Sequence, residues 1–514
     1  MSRVAAALLL MGIVLAALTE AIASTVLALG RSDIIGDTYA TPDEFAWLDI
    51  AYTAFKLIGF MTAPWWFKCF YPRHVILAAT LIMGLACAGA ALTAQLELLV
   101  LLRAVQGFAG ATVLVGGQAI LFRTYARAYQ PVLQAVFAMG AVVAPATLAP
   151  ALQGWLLDSQ SWAWIFFCVV PLALMAAGLL LFVDAPVPRR HRARHFDWTG
   201  FVLMSCGLLC FTYVLSQGSR WDWFEAPRIL WLTMLGTSAL LAFVGQQLQA
   251  DGERLLDFTL FKSSDFAFAF IVSFVAGAAL FGSAYLIPAF ALSVLGFTPT
   301  DAGLLLLPSG AVFCAGLLVS AYLFQARRIA PFVTVPFGIL MLMLAMWMLS
   351  GSTSENGSDD MMAALLLRGL GLGFLFLSIT LIAFSHLGNR TLAAGIGLFN
   401  TGRQLGGLMG VAGLQTLIDH NLVNNAVVLG THLMPGSPAL FERLSTTTAL
   451  LASKGLDAEA AGRAATNLLG RVVSGQSMVI AFDTAFVAVV LLFAVAAPVL
   501  VGIKIGLGKY ANGY

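Results

Sequence analysis

The apolar residues of this chain fall in blocks of about twenty, divided by short polar breaks, along nearly its whole length. That is the length a helix needs to cross the hydrocarbon layer of a bilayer. One buried core cannot absorb so much apolar surface. Of the 514 residues, 60% are hydrophobic and 10% charged, against roughly half and a quarter in soluble domains. The blocks predict spans at 4–29, 47–67, 75–95, 98–122, 131–157 and 162–183, then 198–216 and 228–248. A last set follows at 266–293, 302–324, 331–350, 361–385, 391–417 and 478–503. The pattern is six, two and six: an all-α polytopic membrane protein with fourteen transmembrane helices. Few segments have strand period, which argues against a membrane barrel. The first block follows Arg3 and holds Ala21-Ile22-Ala23, a loose match to a signal peptide. It runs on to Leu29 and is expected to stay as a membrane span.

Basic residues set the orientation. With a cytoplasmic N-terminus, the inside segments hold Arg3, Lys68, Arg73, Arg123, Arg127, Arg189, Arg190, Arg192, Arg194, Arg254, Lys262, Arg327, Arg328, Arg390, Lys504 and Lys509. The short outside loops hold only Arg31, Arg220 and Arg228. The asymmetry places both termini in the cytoplasm and requires an even helix count.

Several chemistries find no support. The six cysteines mostly lie within apolar runs, without metal-ligand spacing. The histidines, at 74, 191, 195, 386, 420 and 432, are scattered through loops. No phosphate-cradling glycine loop follows a strand, so ATP-driven transport and a cofactor are not expected. Neither a nucleophile triad nor a basic nucleic-acid surface stands out.

An ionisable side chain at membrane depth is costly and faces a partner or a wet cavity. The candidates are Glu20, Asp49, Lys56, Arg103, Arg368 and Arg403. Glu20 sits among small and apolar residues and reads either as a proton carrier or as the fixed partner of a base such as Lys56. Asp49 and Lys56 share a helix face; Asp49 lies nearer the helix end, and Lys56 needs a partner, water or room to snorkel. Arg103 stays charged, so it holds or tunes a neighbour. Arg368 reads as structural. Arg403, beside Gly402, Gly406 and Gly407, reads as a packing position. In the fifth span Gly140, Pro145, Pro150 and Gly154 free backbone groups and bend the helix. Trp47, Tyr52, Phe137 and Tyr285 are candidates to line an apolar substrate cavity, while Trp162, Trp164, Trp221 and Trp223 suit headgroup anchoring.

One repeat is visible. Leu101-Leu102-Arg103 opens the fourth span and Leu366-Leu367-Arg368 the twelfth, each before a Gly-rich stretch and each fourth in its set of six. Two parallel six-helix halves suit a transporter.

Seven stretches in order carry a resemblance. They are Arg103 with Gln106-Gly107; Phe137 to Pro145 through Pro150 and Gly154-Trp155; Trp162 to Phe167 with Pro171; Asp222-Trp223-Phe224; Asp257 to Lys262; Gly296 to Gly303 with Pro308; and Arg403 with Leu405-Gly406-Gly407. Together they resemble the fourteen-helix drug:proton antiporters of the major facilitator superfamily, the EmrB/QacA type. The resemblance implies a proton-coupled exporter of amphipathic small molecules, rocking two bundles (1–183 and 266–514) about a central cavity, with residues 184–265 as an inserted pair. It favours a proton-coupling role for Arg103. In double-membrane bacteria it implies a periplasmic adaptor and an outer-membrane channel as partners, beside the substrate and the lipid bilayer, and a location in the inner membrane. A dedicated metabolite or siderophore exporter is the alternative within transport; a membrane enzyme would need a polar catalytic cluster at an interface.

Departures from the pattern are informative. The loop Trp66–His74 has Lys68 and Arg73 but no Asp, so its latch is expected to be built differently. Ala149 and Gln153 stand where the family favours glycine, and Glu20, Ser24 and Thr25 where it places Asp, Thr and Asn. Residues 418–477 carry apolar residues at helical spacing, with Ser437-Pro438 as a start, Lys454-Gly455 as a stop and Asp457 as a cap, and predict a short helical hairpin outside the membrane.

Overall fold

The computed structural model describes residues 3–27, 29–182, 196–249, 255–385, 387–389, 391–431, 433 and 437–511. The basic cluster 189–194, Arg254, Arg390 and the histidines at 191, 195, 386 and 432 lie outside them, as do the side chains of Lys504 and Lys509. The described residues contain helices and connections but no strand.

The first half comprises α1 (Arg3–Thr25), the short α2 (Arg31–Thr38), α3 (Pro42–Cys69), α4 (Pro72–Ala91), α5 (Leu96–Thr124), α6 (Gln130–Ala138), α7 (Ala149–Ser159), α8 (Ala163–Phe167) and α9 (Val169–Phe182). The inserted pair is α10 (Trp198–Gln217) and α11 (Pro227–Gln249). The second half comprises α12 (Ser264–Ser293), α13 (Pro299–Leu304), α14 (Leu307–Gln325), α15 (Thr334–Leu349), α16 (Ser358–Phe384), α17 (Leu392–Thr431), α18 (Pro438–Ser453) and α19 (Ala458–Ala511).

Among the described residues, twelve helical stretches are long and apolar enough to cross a membrane. Two further helices, α3 with 28 residues and α17 with 40, are long enough but are not among them. Their polar residues explain this: α3 carries Asp43, Glu44, Asp49, Lys56 and Lys68, and α17 carries Asn400, Arg403, Gln404, Gln415 and Asp419. These two helices pack against each other across the halves. Polar residues at membrane depth on α3 and α17 therefore lie on helices that meet between the halves.

The start of α3 is written locally. Thr41 and Glu44 form a reciprocal capping box, with the Thr41 amide 2.8 Å from Glu44 Oε2 and Pro42 in the first turn. Between α6 and α7 the fifth span passes through wide i→i+5 turns over Met139–Leu148. Pro145 has no N–H and its ring crowds the carbonyl one turn back, so the helix widens there. The bends expected from Gly140, Pro145 and Pro150 take this form. The repeat is visible in packing, since α5 lies on α3 and α16 on α14, fourth on second in each half.

The inserted pair is asymmetric. α10 packs on both α3 and α17, whereas most of α11 touches only α10. Leu57 and Met61 of α3, Met204 of α10, Phe243 of α11 and Leu398 of α17 share one apolar cluster. At the connection to the pair, Asp197 accepts from the Gly200 amide at 2.8 Å, from Gln246 at 2.8 Å and from Gln247 at 2.5 Å. Gln247 Oε1 in turn accepts from the Leu255 and Leu256 amides at 3.0 and 3.2 Å. Both ends of the pair are thus tied to one carboxylate. Asp197→Ala is expected to cost about 1–3 kcal/mol locally, by orphaning these donors. It should speed proteolysis of the connection while leaving the far core intact; unchanged cleavage kinetics would refute the clamp.

The expected hairpin is half right. α18 starts at Pro438 and stops at Ser453, Gly455 takes a positive φ of 99°, and the Ala460 amide donates to Asp457 Oδ1 at 3.1 Å. The second arm is not short. α19 runs unbroken for 54 residues from Ala458 through the last span, and α17 continues to Thr431. Between 458 and Pro498 nothing breaks helical geometry; a polarity change at 470–478 is not a helix stop. Three helices therefore meet at this end of the molecule, with α18 packed on α19 and α19 on α17.

Candidate functional site

Glu20 lies on α1 between small residues, 1% exposed. Gly110 of α5 faces it, and a side chain there would collide with the Glu20 stem. The carboxylate is partnered. Lys56 Nζ is 2.5 Å from Glu20 Oε1, and Tyr52 Oη donates to the same oxygen at 2.9 Å. Tyr52 and Lys56 stand one turn apart on α3, so one helix face supplies both donors. Arg103, also buried, lies over the Tyr52 ring at 4.1 Å. Its Nη1 donates to the Ala23 carbonyl at 2.7 Å and to Gln106 Oε1 at 3.0 Å, while Nη2 has no partner. α1, α3 and α5 thus converge on one carboxylate, two cations and a phenol. The pairing of Glu20 with a basic residue read from the sequence is observed, and Lys56 is that residue. Removing one member of a buried pair is costly, about 3–5 kcal/mol, because it strands the other charge.

Asp49 does not join the pair. It is exposed, although Phe45, Tyr52, Thr53 and Lys56 along the same face are buried. Arg368 is as buried as Arg103; its Nε donates to Ser283 at 2.9 Å, and its Nη2 is unpartnered.

Arg403 packs as expected, its carbonyl so close to Gly277 of α12 that no Cβ fits there, and it also lines two small cavities, one within the second half and one between the halves. One holds Ser273, Leu280, Leu372, Phe376 and Phe399; the other holds Gln118, Gln134, Phe137 and Asn400. Its guanidinium lies over Phe376 at 4.9 Å and donates to Asn400 Oδ1 at 2.6 Å. The sequence concealed this because the lining comes from α5, α6, α12, α16 and α17 at once. Of the aromatic candidates, Phe137 lines a cavity. Tyr52 belongs to the Glu20 cluster, and Tyr285 packs against the second-half core. Trp47 is 40% exposed and meets Tyr213 of α10 in a tilted ring contact, 5.2 Å between centroids, because α10 packs along that face of α3. Trp162 is also not a surface anchor: it is buried and donates to Asp37 at 2.6 Å.

The halves touch in two layers on either side of this region. At one end a side chain at Gly154 would strike the Pro299 carbonyl and one at Gly303 the Pro150 carbonyl, while the Thr300 amide donates to Asp158 at 3.1 Å. Gln153 ties α7 to α1 by donating to the Ile22 carbonyl at 3.0 Å. At the other end a side chain at Gly397 would strike the Phe60 carbonyl, Phe122 meets Phe384 at 5.5 Å, and Arg123 donates to the Asn389 carbonyl at 2.7 Å. Arg73 of the Asp-lacking loop instead donates to the carbonyl of Leu180 at 2.8 Å, and to that of Leu181, at the end of α9. This arrangement holds buried charges beside a seam that is closed by contacts in two separate layers.

The family model of the Major Facilitator Superfamily matches residues 9–411, most of the chain and both halves of the seam. The chain belongs to the Major Facilitator Superfamily. Among its relatives, the multidrug export protein EmrB of Escherichia coli strain K12 is 25% identical over 406 residues, covering 77% of each chain. EmrB of Haemophilus influenzae is 27% identical over 438 residues, 84% of each. The fold matches a bacterial homologue of the human lysosomal transporter Spinster, solved inward-facing and unoccupied, with a TM-score of 0.61, 15% identity and 99% of each chain covered. This superfamily member is thus a multi-pass membrane protein of the major facilitator fold and a small-molecule transporter by family. The expectation from the seven stretches is confirmed at that level. No group of three or more metal-ligating side chains gathers among the described residues.

Proposed function

We propose that this chain is a proton-coupled exporter of drugs and other amphipathic or hydrophobic small molecules. The carrying observation is the buried Glu20–Lys56 pair, braced by Tyr52 and Arg103 beside the seam. The coverage of EmrB along both chains supports the substrate class. In this reading α3 and α17 cross the bilayer with the twelve apolar stretches, giving fourteen crossings and both termini in the cytoplasm of a bacterial inner membrane. The Arg123 layer then closes the cytoplasmic side and the Gly154 layer the periplasmic side. A proton taken by Glu20 releases Lys56 and weakens the hold of α3 on α1. The resulting rearrangement parts one layer as the other closes, driven by the proton gradient without a cofactor.

Arg103 braces the cluster through α1 and α3, whereas Arg368 holds a single hydroxyl. Arg103→Ala is therefore expected to lower gradient-driven export by more than about tenfold, and Arg368→Ala to act mainly through stability. Equal losses that track the thermal midpoints of the purified variants would remove Arg103 from coupling.

The three helices beyond the membrane give a periplasmic adaptor a surface to dock on, ahead of an outer-membrane channel. Excising α18, Pro438–Ser453, is expected to leave export in liposomes intact and to abolish co-purification of the adaptor. Retained adaptor would rule that surface out.

A further inference from the structure

The cavities around Arg403 carry donors without acceptors. Ser273 lines one cavity, is 1% exposed, and its hydroxyl has no partner. Gln134 lines the other, is 2% exposed, and accepts from Gln118 at 3.1 Å, while its own Nε2 has no partner. Arg403 stands between them and has a neutral amide as its hydrogen-bond partner. No Asp or Glu lines either cavity. The carboxylate of the nearby charge network, Glu20, is already held by Lys56. A guanidinium and two buried donors lacking an acceptor call for a negatively charged or acceptor-rich group, since a buried donor left without an acceptor is costly. The remaining lining is aliphatic and aromatic, with Leu280, Leu372, Leu375, Phe376 and Phe399.

We propose that the seam selects amphipathic organic anions, with the anionic head on Arg403, Gln134 and Ser273 and the apolar body along α12 and α16. This rests on the export reading and names its substrate class. A cation would meet Arg403 with no carboxylate in the lining of either cavity to pair with.

The test uses the full chain in liposomes under an imposed pH gradient, with two permanently charged probes of equal tail, octanesulfonate and octyltrimethylammonium. Gradient-driven movement of the sulfonate should exceed that of the cation by about tenfold, the worth of one charge-assisted contact. Arg403→Gln should lower sulfonate movement about tenfold and Arg403→Lys should restore most of it. Gln134→Glu keeps Arg403 but adds a repelling charge, and should also lower sulfonate movement. Cation movement equal to or faster than that of the sulfonate would overturn the proposal and leave export standing. So would sulfonate movement at the wild-type rate in Arg403→Gln. A wild-type chain that moves neither probe would overturn the export reading as well.

Discussion

Glu20→Gln is expected to abolish gradient-driven export and to lower the thermal midpoint of the purified protein. The amide still accepts from Tyr52, so the local shape survives. What disappears is a titrating group and the counter-charge of Lys56. The stranded ammonium costs about 3–5 kcal/mol in a site closed to water, so the stability loss is a consequence of the pair itself. The double variant Glu20→Gln/Lys56→Met separates the two roles. It removes both charges and fills the space with an unbranched side chain, so stability should return while export stays absent. Export recovering together with stability would make the pair structural and Glu20 no proton carrier.

The second large effect concerns the two contact layers. At Gly154 and Gly397 the facing backbone comes so close that no Cβ fits. Because backbone cannot swing aside as a side chain does, Gly154→Val is expected to prop the Asp158 end open, and Gly397→Val the Arg123 end. Each should lower export by more than about tenfold, since transport needs both layers to close in turn. The two should have opposite signatures. With a single cysteine at Asn400 in a cysteine-free background, a membrane-impermeant thiol reagent should label the Gly154→Val protein from the periplasmic side and the Gly397→Val protein from the cytoplasmic side. Labelling from the same side in both would contradict a two-layer seam.

Much of this was legible in residue order because the bilayer acts locally. A block of twenty apolar residues declares itself without knowledge of its neighbours, and the cost of burying charge singled out Glu20, Lys56 and Arg103. Helix punctuation was legible at Pro438, Lys454-Gly455 and Asp457. The continuation of α19 was missed because a fall in hydropathy was read as a helix end, although polar residues such as Gln476 and Ser477 propagate a helix adequately. The cavities beside Arg403 and the setting of Trp47 were hidden for another reason. Their surroundings are set by segments more than a hundred residues away: α6 and α12 bring the cavity to Arg403, and Tyr213 of α10 covers Trp47. Neither approach leaves a local pattern. The glycines at 154 and 397 were visible as residues, but their partners, Pro299 and Phe60, belong to the opposite half.

The most direct test of the account is proton movement driven by substrate. The purified chain is reconstituted in liposomes containing a pH-sensitive dye, and an amphipathic substrate gradient is imposed with no initial pH difference. The account predicts that substrate flow in one direction drives protons in the other, that the wild-type signal collapses with an ionophore, and that Glu20→Gln/Lys56→Met gives none. Substrate crossing at the wild-type rate with no proton signal, or an undiminished signal from the double variant, would contradict it.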